Sequence, residues 1–239
     1  MGKAHIKRLA APKSWPINRK TNVWVLKSSP GSHTLGTSLP IGLIIKEILG
    51  YVKTTKETKY VLNQKKIFVN GKLVKNQKLP AGILDVVTIG EDNYRIIINQ
   101  KGKLIPVKIN GAESKLILKQ VENKKSLKGK KTQINFTDGT NLLSEEKYAT
   151  GDTIVFSNEK IKEHLILEKG SMVYVLAGKQ VGKIGIIKEI QEKKGLQPSR
   201  VTFTQGKEDY ETSKEYVFVV GKTKPLVTLE KWIRWEKLG

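Results

Sequence analysis

The sequence predicts a predominantly β, multidomain protein of the α+β class. Three observations lead there. Short β-rich runs separated by turn residues recur between residues 83 and 220, at the spacing of small barrels or sandwiches. The clear helical signals lie next to one another, between residues 39 and 64. Composition also shifts along the chain, with a basic arm broken by Pro and Gly before the helices and a basic, aromatic stretch at the end. The expected division is a basic arm (1–38), a small α+β module (39–92), a central β domain (93–168), a small barrel (169–221) and a basic tail (222–239). At about 100–200 residues per domain, length alone asks for two or three.

The charge balance bounds the partner. Lys and Arg number 44 against 22 acids, a net charge of +22 that calls for a polyanion. Arginine is confined to Arg8, Arg19, Arg95, Arg200 and Arg234. Lysine is a mobile point charge suited to phosphates, so backbone and shape recognition is expected over base reading. The apolar fraction of 38% implies small cores. With no cysteine, disulfides, thiolate chemistry and cysteine-held zinc are excluded. No apolar run approaches the roughly eighteen residues of a membrane span. There is no apolar signal core at the N-terminus, and Ile6 stands where a myristoylation signal wants Ser or Thr. A soluble intracellular protein is the expectation.

The arm carries Lys3, Lys7, Arg8, Lys13, Arg19, Lys20 and Lys27 and meets no acid before Glu47. Having little to bury, it is expected to stay extended until a partner orders it. Trp15 and Trp24 each suit base stacking or anchorage on the protein's own body. Trp24, in the run Val23-Trp24-Val25-Leu26, is expected to pack; for Trp15, between Ser14 and Pro16, both readings stand.

Leu39 to Gly50 has Ile41, Ile44, Ile45, Ile48 and Leu49 at helical spacing and Gly50 as a stop. Thr54 and Glu57 fit a capping box at the start of a second helix. Ile67-Phe68-Val69 and Leu73-Val74 flank Asn70-Gly71, the dipeptide of a type I′ hairpin turn. Lys53, Lys56, Lys59, Lys65, Lys66, Lys72 and Lys75 crowd this unit against one acid, Glu57.

Strands are expected at 83–89, 94–98, 104–109, 116–118, 133–136, 153–156 and 165–167. Asn99 to Gly102, Asn110-Gly111 and Asp138-Gly139 supply turns between them, and Lys124, Lys125, Lys128, Lys130 and Lys131 form a positive loop. In the barrel, Val173 and Val175 face Ile184 and Ile186 across a turn containing Gly178 and Gly182, with Gly185 beyond it. Runs at 200–203 and 216–220 would close the barrel. Lys222, Lys224, Lys231, Trp232, Arg234 and Trp235 colour the tail.

No catalytic constellation emerges. Gly178 and Gly182-Lys183 enclose three residues where a phosphate loop needs four, and Ile184 replaces its hydroxyl. His5, His33 and His164 have no metal-ligand spacing, and Glu145-Glu146 lies beside Lys147 with no sign of acid–base pairing. No cofactor is implied.

Four signatures, in this order, resemble the S-four-e family of small-subunit ribosomal proteins. They are H-I-K-R-L-A-A-P-K-S-W at His5 to Trp15, followed by G-S-H at Gly31 to His33; an S-four RNA-binding module at Leu39 to Ile89, with Gln64-Lys65, V-N-G-K at Val69 to Lys72 and P-A-G-I-L-D-V-V at Pro80 to Val87; a KOW motif at Gly170 to Ile190, with Gly182 at its glycine position; and V-F-V-V-G-K-T-K-P at Val217 to Pro225. The resemblance implies a structural, non-enzymatic protein, ribosome-bound in the cytoplasm, whose partners are small-subunit ribosomal RNA and neighbouring ribosomal proteins. The RNA-binding candidates are Lys3, Lys7, Arg8, Lys13, Trp15, Arg19, Lys20, His33, Lys53, Lys56, Lys59, Lys65, Lys66, Lys72, Lys179, Lys183, Lys222 and Lys224. Two rivals share parts of the pattern. A transcription elongation factor also uses KOW modules. A pseudouridine synthase also uses an S-four module, but needs an Arg-Leu-Asp setting that Leu84-Asp85 lacks.

Overall fold

The computed structural model describes residues 5–128, 131–157, 160–192, 198–206 and 208–229. The arm holds β1 (His5–Lys7), β2 (Trp24–Leu26) and β3 (Ser38–Pro40). α1 (Ile41–Leu43) runs on into a π turn over Ile44–Ile48, in which the Leu49 N–H donates to the Ile44 carbonyl at 2.8 Å. Gly50, at φ +70°, ends it. The helix therefore starts two residues later than expected, because Leu39 is in β3. α2 (Thr55–Asn63) follows, then β4 (Ile67–Val69), β5 (Lys72–Leu73), β6 (Pro80–Gly82), β7 (Val86–Ile89), β8 (Asp92–Ile98) and β9 (Leu104–Ile109).

β3 pairs with β6, and the order β5-β4-β7-β8-β9 forms an antiparallel sheet. The division expected after residue 92 falls inside that sheet. Gly90-Glu91 is a hairpin turn, Asp92 pairs with Ile89, and Asn93 pairs with Ile109.

α3 (Gly111–Ser114) is a single turn at the expected Asn110-Gly111 bend. β10 (Leu116–Ser126), β11 (Thr132–Phe136), β12 (Asn141–Ser144), β13 (Thr153–Ser157) and β14 (Lys160–Leu165) make the sheet β12-β11-β10-β13-β14. Lys124 and Lys125 belong to β10 and pair with β11, so the expected loop is the end of a long hairpin; Lys130 lies outside the described residues. The run 165–167 is not a strand, since β14 ends at Leu165.

β15 (Met172–Val175), β16 (Ile184–Gln191), β17 (Arg200–Gln205), β18 (Glu208–Ser213) and β19 (Val217–Gly221) form the sheet β18-β17-β16-β15-β19. β18 was hidden from pattern reading because its residues, E-D-Y-E-T-S, are those of a polar edge strand. Of the tail, residues 230–239, including Lys231, Trp232, Arg234 and Trp235, lie outside the described residues.

One hydrophobic core unites these sheets. It runs from Trp15 and Val25 of the arm through Ile41, Ile44 and Ile45, past Ile67 and Ile96, to Val173, Phe203 and Val219. A small separate cluster of Val121, Ile134, Phe136, Tyr148 and Ile154 serves the central sheet. Polar contacts stitch the same seams. The Ile98 N–H donates to the Tyr174 hydroxyl at 2.9 Å, that hydroxyl donates back to the Ile98 carbonyl, and Gln120 Nε2 donates to the Val217 carbonyl at 2.8 Å.

Gly182 shows how tight one seam is. Its φ is +78°, and a Cβ there would sit 2.5 Å from the Asn99 carbonyl carbon. The barrel's glycine turn thus rests on the backbone of the β8–β9 turn, a place only glycine fits.

The arm is folded, contrary to expectation. Trp15 is fully buried, and its indole N–H donates to the carbonyls of Ser38 (2.8 Å) and Leu35 (3.2 Å). Arg8 is buried and grips Glu47 in a two-pronged ion pair at 2.9 and 2.7 Å. Arg19 donates to the carbonyls of Leu9, Ala11 and Pro12. The Leu104 N–H donates to the Ser14 carbonyl, tying the arm to β9. Apolar anchors and a single acid on the neighbouring helix hold the segment against the body of the protein.

Candidate nucleic-acid interface

α2 is shaped by its cap. Thr54 Oγ1 accepts from the Glu57 N–H at 3.2 Å, and the Glu57 carboxylate accepts from the backbone N–H groups of Lys53 and Thr54. These bonds, that from Lys53 foremost, hold the Glu57 carboxyl below its ordinary range. The one acid of the unit is thereby spent on the helix terminus. Thr58 and Leu62 face the core, whereas Lys56 and Lys59 are exposed.

Beyond the helix, Lys65 adopts φ +56°, and Asn70 and Gly71 take φ +48° and +77°, as a type I′ turn requires. Asn70 is locked by donating to Asp85 at 2.7 Å and accepting from the Val86 N–H at 2.9 Å. Lys53, Lys65, Lys66, Lys72 and Lys75 are all exposed. Among the described residues, none of the seven lysines has a carboxylate within ion-pair distance.

Charge is segregated along the chain. Residues 1–84 hold sixteen basic residues and two acids, a net +14 of the chain's +22, and both acids are engaged locally. From Asp85 onward acids are frequent, and Lys108, Lys119, Lys188, Lys214 and Lys222 pair with them. Free cations face solvent on the helix–hairpin unit and on the arm, where Lys7, Lys13 and Lys20 are exposed, and others, Lys125, Lys160 and Lys162 among them, stand exposed on the central sheet. Unpaired lysines on a rigid surface keep their full charge for phosphates.

Several sequence candidates are occupied by the fold. Trp15, Arg8 and Arg19 hold the arm and are not free to meet RNA as expected. His33 packs so closely over Gly82 that a Cβ on that glycine would overlap its ring, and its Nε2 lies 2.9 Å from Asp85. In the barrel, Lys183 stands over the Tyr210 ring at 3.3 Å, while Lys179 is exposed. Lys222 makes a loose, exposed pair with Glu163 at 3.6 Å, and Lys224 is exposed. Lys3 lies outside the described residues.

One aromatic escaped the sequence reading and another is placed differently from expectation. Tyr60 of α2 is 66% exposed, one turn from Lys56, and Trp24 is 52% exposed where packing was expected. For Tyr60 the signal was available: it lies off the Thr58–Leu62 face of the helix.

The pseudouridine-synthase rival finds no support in the geometry. Asp85, the aspartate of the Leu84-Asp85 pair, is buried and accepts from Asn70, the Gly82 N–H and His33, which makes it a fold-holding carboxylate. Among the described residues no three His, Asp or Glu side chains are grouped to hold a metal, and no helix is long and apolar enough to cross a membrane.

The His33–Asp85 contact has a pH signature. Burial opposes the imidazolium, but the Asp85 hydrogen bond and charge outweigh it, with Asp138 adding and Lys119 opposing, so the His33 pKa is raised. A raised folded-state pKa stabilises the fold fully below the unfolded value of about 6.5, and the contribution is lost as pH rises through the folded value. The urea midpoint of wild type should therefore exceed that of His33→Gln most at about pH 5.5–6, with the gap narrowing above neutrality. A constant gap across that range would refute the assignment.

Comparison with known proteins gives three family matches: "Ribosomal family S4e" over residues 90–163, "RS4NT (NUC023) domain" over 1–36 and "KOW motif" over 169–204. The small ribosomal subunit protein eS4 of Methanocella arvoryzae is 37% identical over 227 residues, covering 93% of this chain and 96% of its own. That of Methanocaldococcus jannaschii is 36% identical over 241 residues, covering 95% and 98%. The crystal structure of the 30S ribosomal protein S4e from Thermoplasma acidophilum superposes with a TM-score of 0.69 at 27% identity, over 80% of this chain and 98% of that one.

Proposed function

The chain belongs to the S4e family of small-subunit ribosomal proteins, and from that premise we propose that it grips folded ribosomal RNA at several points, the capped helix and hairpin being the principal one. It is a structural constituent of the small ribosomal subunit and not an enzyme, and it serves translation by binding ribosomal RNA. The observation that carries the multi-point reading is the segregation of charge: residues 1–84 hold a net +14 of the chain's +22 with both of their acids engaged, whereas acids are frequent from Asp85 onward. The contacts would be to phosphates and shape, since Arg8, Arg19 and Arg95 are consumed internally and Arg200 pairs with Glu211, which leaves lysines as the free cations.

The contact set comprises Lys53, Lys56, Lys59, Lys65, Lys66 and Lys72, the arm's Lys7, Lys13 and Lys20, and Lys179 and Lys224 at the far end. Neighbouring small-subunit proteins are the further partners, and the ribosome in the cytoplasm is the site of action. The chain divides as a folded arm and first sheet up to about residue 109, a central sheet, and a barrel.

An elongation-factor role is disfavoured because the KOW match spans only 169–204, whereas the eS4 relatives align with nearly the whole chain. Gradient fractionation after a high-salt wash is the test. The protein should stay with the small subunit; recovery with RNA polymerase instead would end the proposal.

Replacing Lys56, Lys59 and Lys65 together by Ala should reduce the slope of log K against log salt by about 2, given roughly 0.7–0.9 per phosphate contact. An unchanged slope would mean that these lysines only solvate the fold.

A further inference from the structure

The β1–β2 ribbon turns one face inward and leaves the other bare. Val25 is buried and Ile6 packs on the core, whereas their neighbour Trp24 is 52% exposed. Lys7 lies directly across from Trp24 in the register, and the His5 ring stands edge-on to the indole at a centroid distance of 4.5 Å. Leu9 and Val23 add exposed apolar surface nearby at 72% and 64% exposure, and the Arg8 N–H donates to the Val23 carbonyl.

Leu9, Val23 and Trp24 together expose three large apolar side chains on or beside one short ribbon, and exposed apolar groups gathered in this way point to a partner. The surroundings of Trp24 select one. The first 46 residues contain no acid, and the nearest one in sequence, Glu47, is held by Arg8. A flat aromatic face beside unpaired cations is the make-up of a nucleobase-stacking platform. Trp15 and Arg8 hold the ribbon in place beforehand, so little ordering entropy is lost on binding.

We propose that the outer face of this ribbon stacks one unpaired nucleotide of the bound RNA on the Trp24 indole, with Lys7 on the flanking phosphate and His5 holding the indole edge-on. The proposal rests on the rRNA-binding reading above and adds to it a single-stranded feature in the RNA site.

The test uses the full chain with a small-subunit rRNA transcript, measuring Kd at several salt concentrations together with base-specific and backbone-specific chemical probing. Trp24→Ala should weaken binding roughly tenfold, leave the salt slope unchanged, and expose one base to modification while backbone protection persists. Trp24→Phe should retain most of the affinity. Both variants should keep the wild-type urea midpoint, since the side chain is exposed.

Wild-type affinity and base protection in Trp24→Ala would overturn the platform while leaving the rRNA reading intact. Absence of salt-dependent binding by wild type would instead overturn that underlying reading. If Trp24→Ala binds naked rRNA normally but fails to join the subunit in reconstitution with the other small-subunit proteins, the face is a protein contact and the platform is likewise overturned.

Discussion

Arg95→Ala is expected to lower unfolding stability by about 3–5 kcal/mol, measured from urea transitions at neutral pH. Arg95 is wholly buried in β8, where desolvation lowers its pKa against the opposing pull of Glu113. Nη1 donates to the Leu84 carbonyl at 3.0 Å, and Nη2 donates to the carbonyls of Glu113 (3.1 Å) and Leu116 (2.9 Å). Nε meets the Glu113 carboxylate at 3.2 Å.

Glu113 then reaches onward, accepting from the Thr228 N–H at 2.9 Å and the Thr228 hydroxyl at 2.7 Å. One guanidinium thereby joins the first sheet, the start of the central sheet and the C-terminal segment. Truncation leaves a poorly solvated carboxylate and three carbonyls without their donor, a penalty larger than the net worth of the bonds. Hydrogen exchange at Thr228 should accelerate as well. A loss below about 1 kcal/mol would show that water replaces the guanidinium and that the hub is dispensable.

Trp15→Ala should cost a comparable amount, about 3–5 kcal/mol, by emptying a fully buried site. The effect would be concentrated locally. Without the indole and its bonds to Ser38 and Leu35, the arm keeps Arg8–Glu47 and the Leu104–Ser14 bond as its chief ties. Limited proteolysis between residues 16 and 37 should therefore speed up well before the later sheets open. Equal cleavage rates in variant and wild type would mean that the arm is held elsewhere.

Much of the fold was legible because its signals are local. The capping box at Thr54–Glu57 and the Asn70-Gly71 turn depend on residues three apart or adjacent, and both form as read. β9 matches its expected bounds, and most other strands differ by a few residues, since alternation of side chains is a short-range pattern. β12 and β18 were missed because edge strands bury little and carry no apolar alternation.

The exposure of the candidate contact residues was half legible. Lysines on the helix and hairpin are exposed as charge demanded, because an ammonium group leaves water only for a partner and almost no acid is near. The arm misled in both directions. Trp15, read evenly, is a core residue, and Trp24, read as core, faces solvent. Both stand in short arm segments; what separates them is the pair of carbonyl acceptors on Leu35 and Ser38 and a place for Trp15 in the main hydrophobic core.

What the chain's letters settled, then, is its net charge, its turns, the more apolar of its strands and the family they spell. Those quantities add residue by residue or depend on near neighbours. Which cations remain free, that Arg95 joins three segments, and that Gly182 must seat the barrel on the Asn99–Gln100 backbone depend on contacts between residues tens of positions apart. Such contacts exist only once a single core has closed over the arm, the first sheet and the barrel. Burial then fixes which polar groups must be paired and which are left facing solvent.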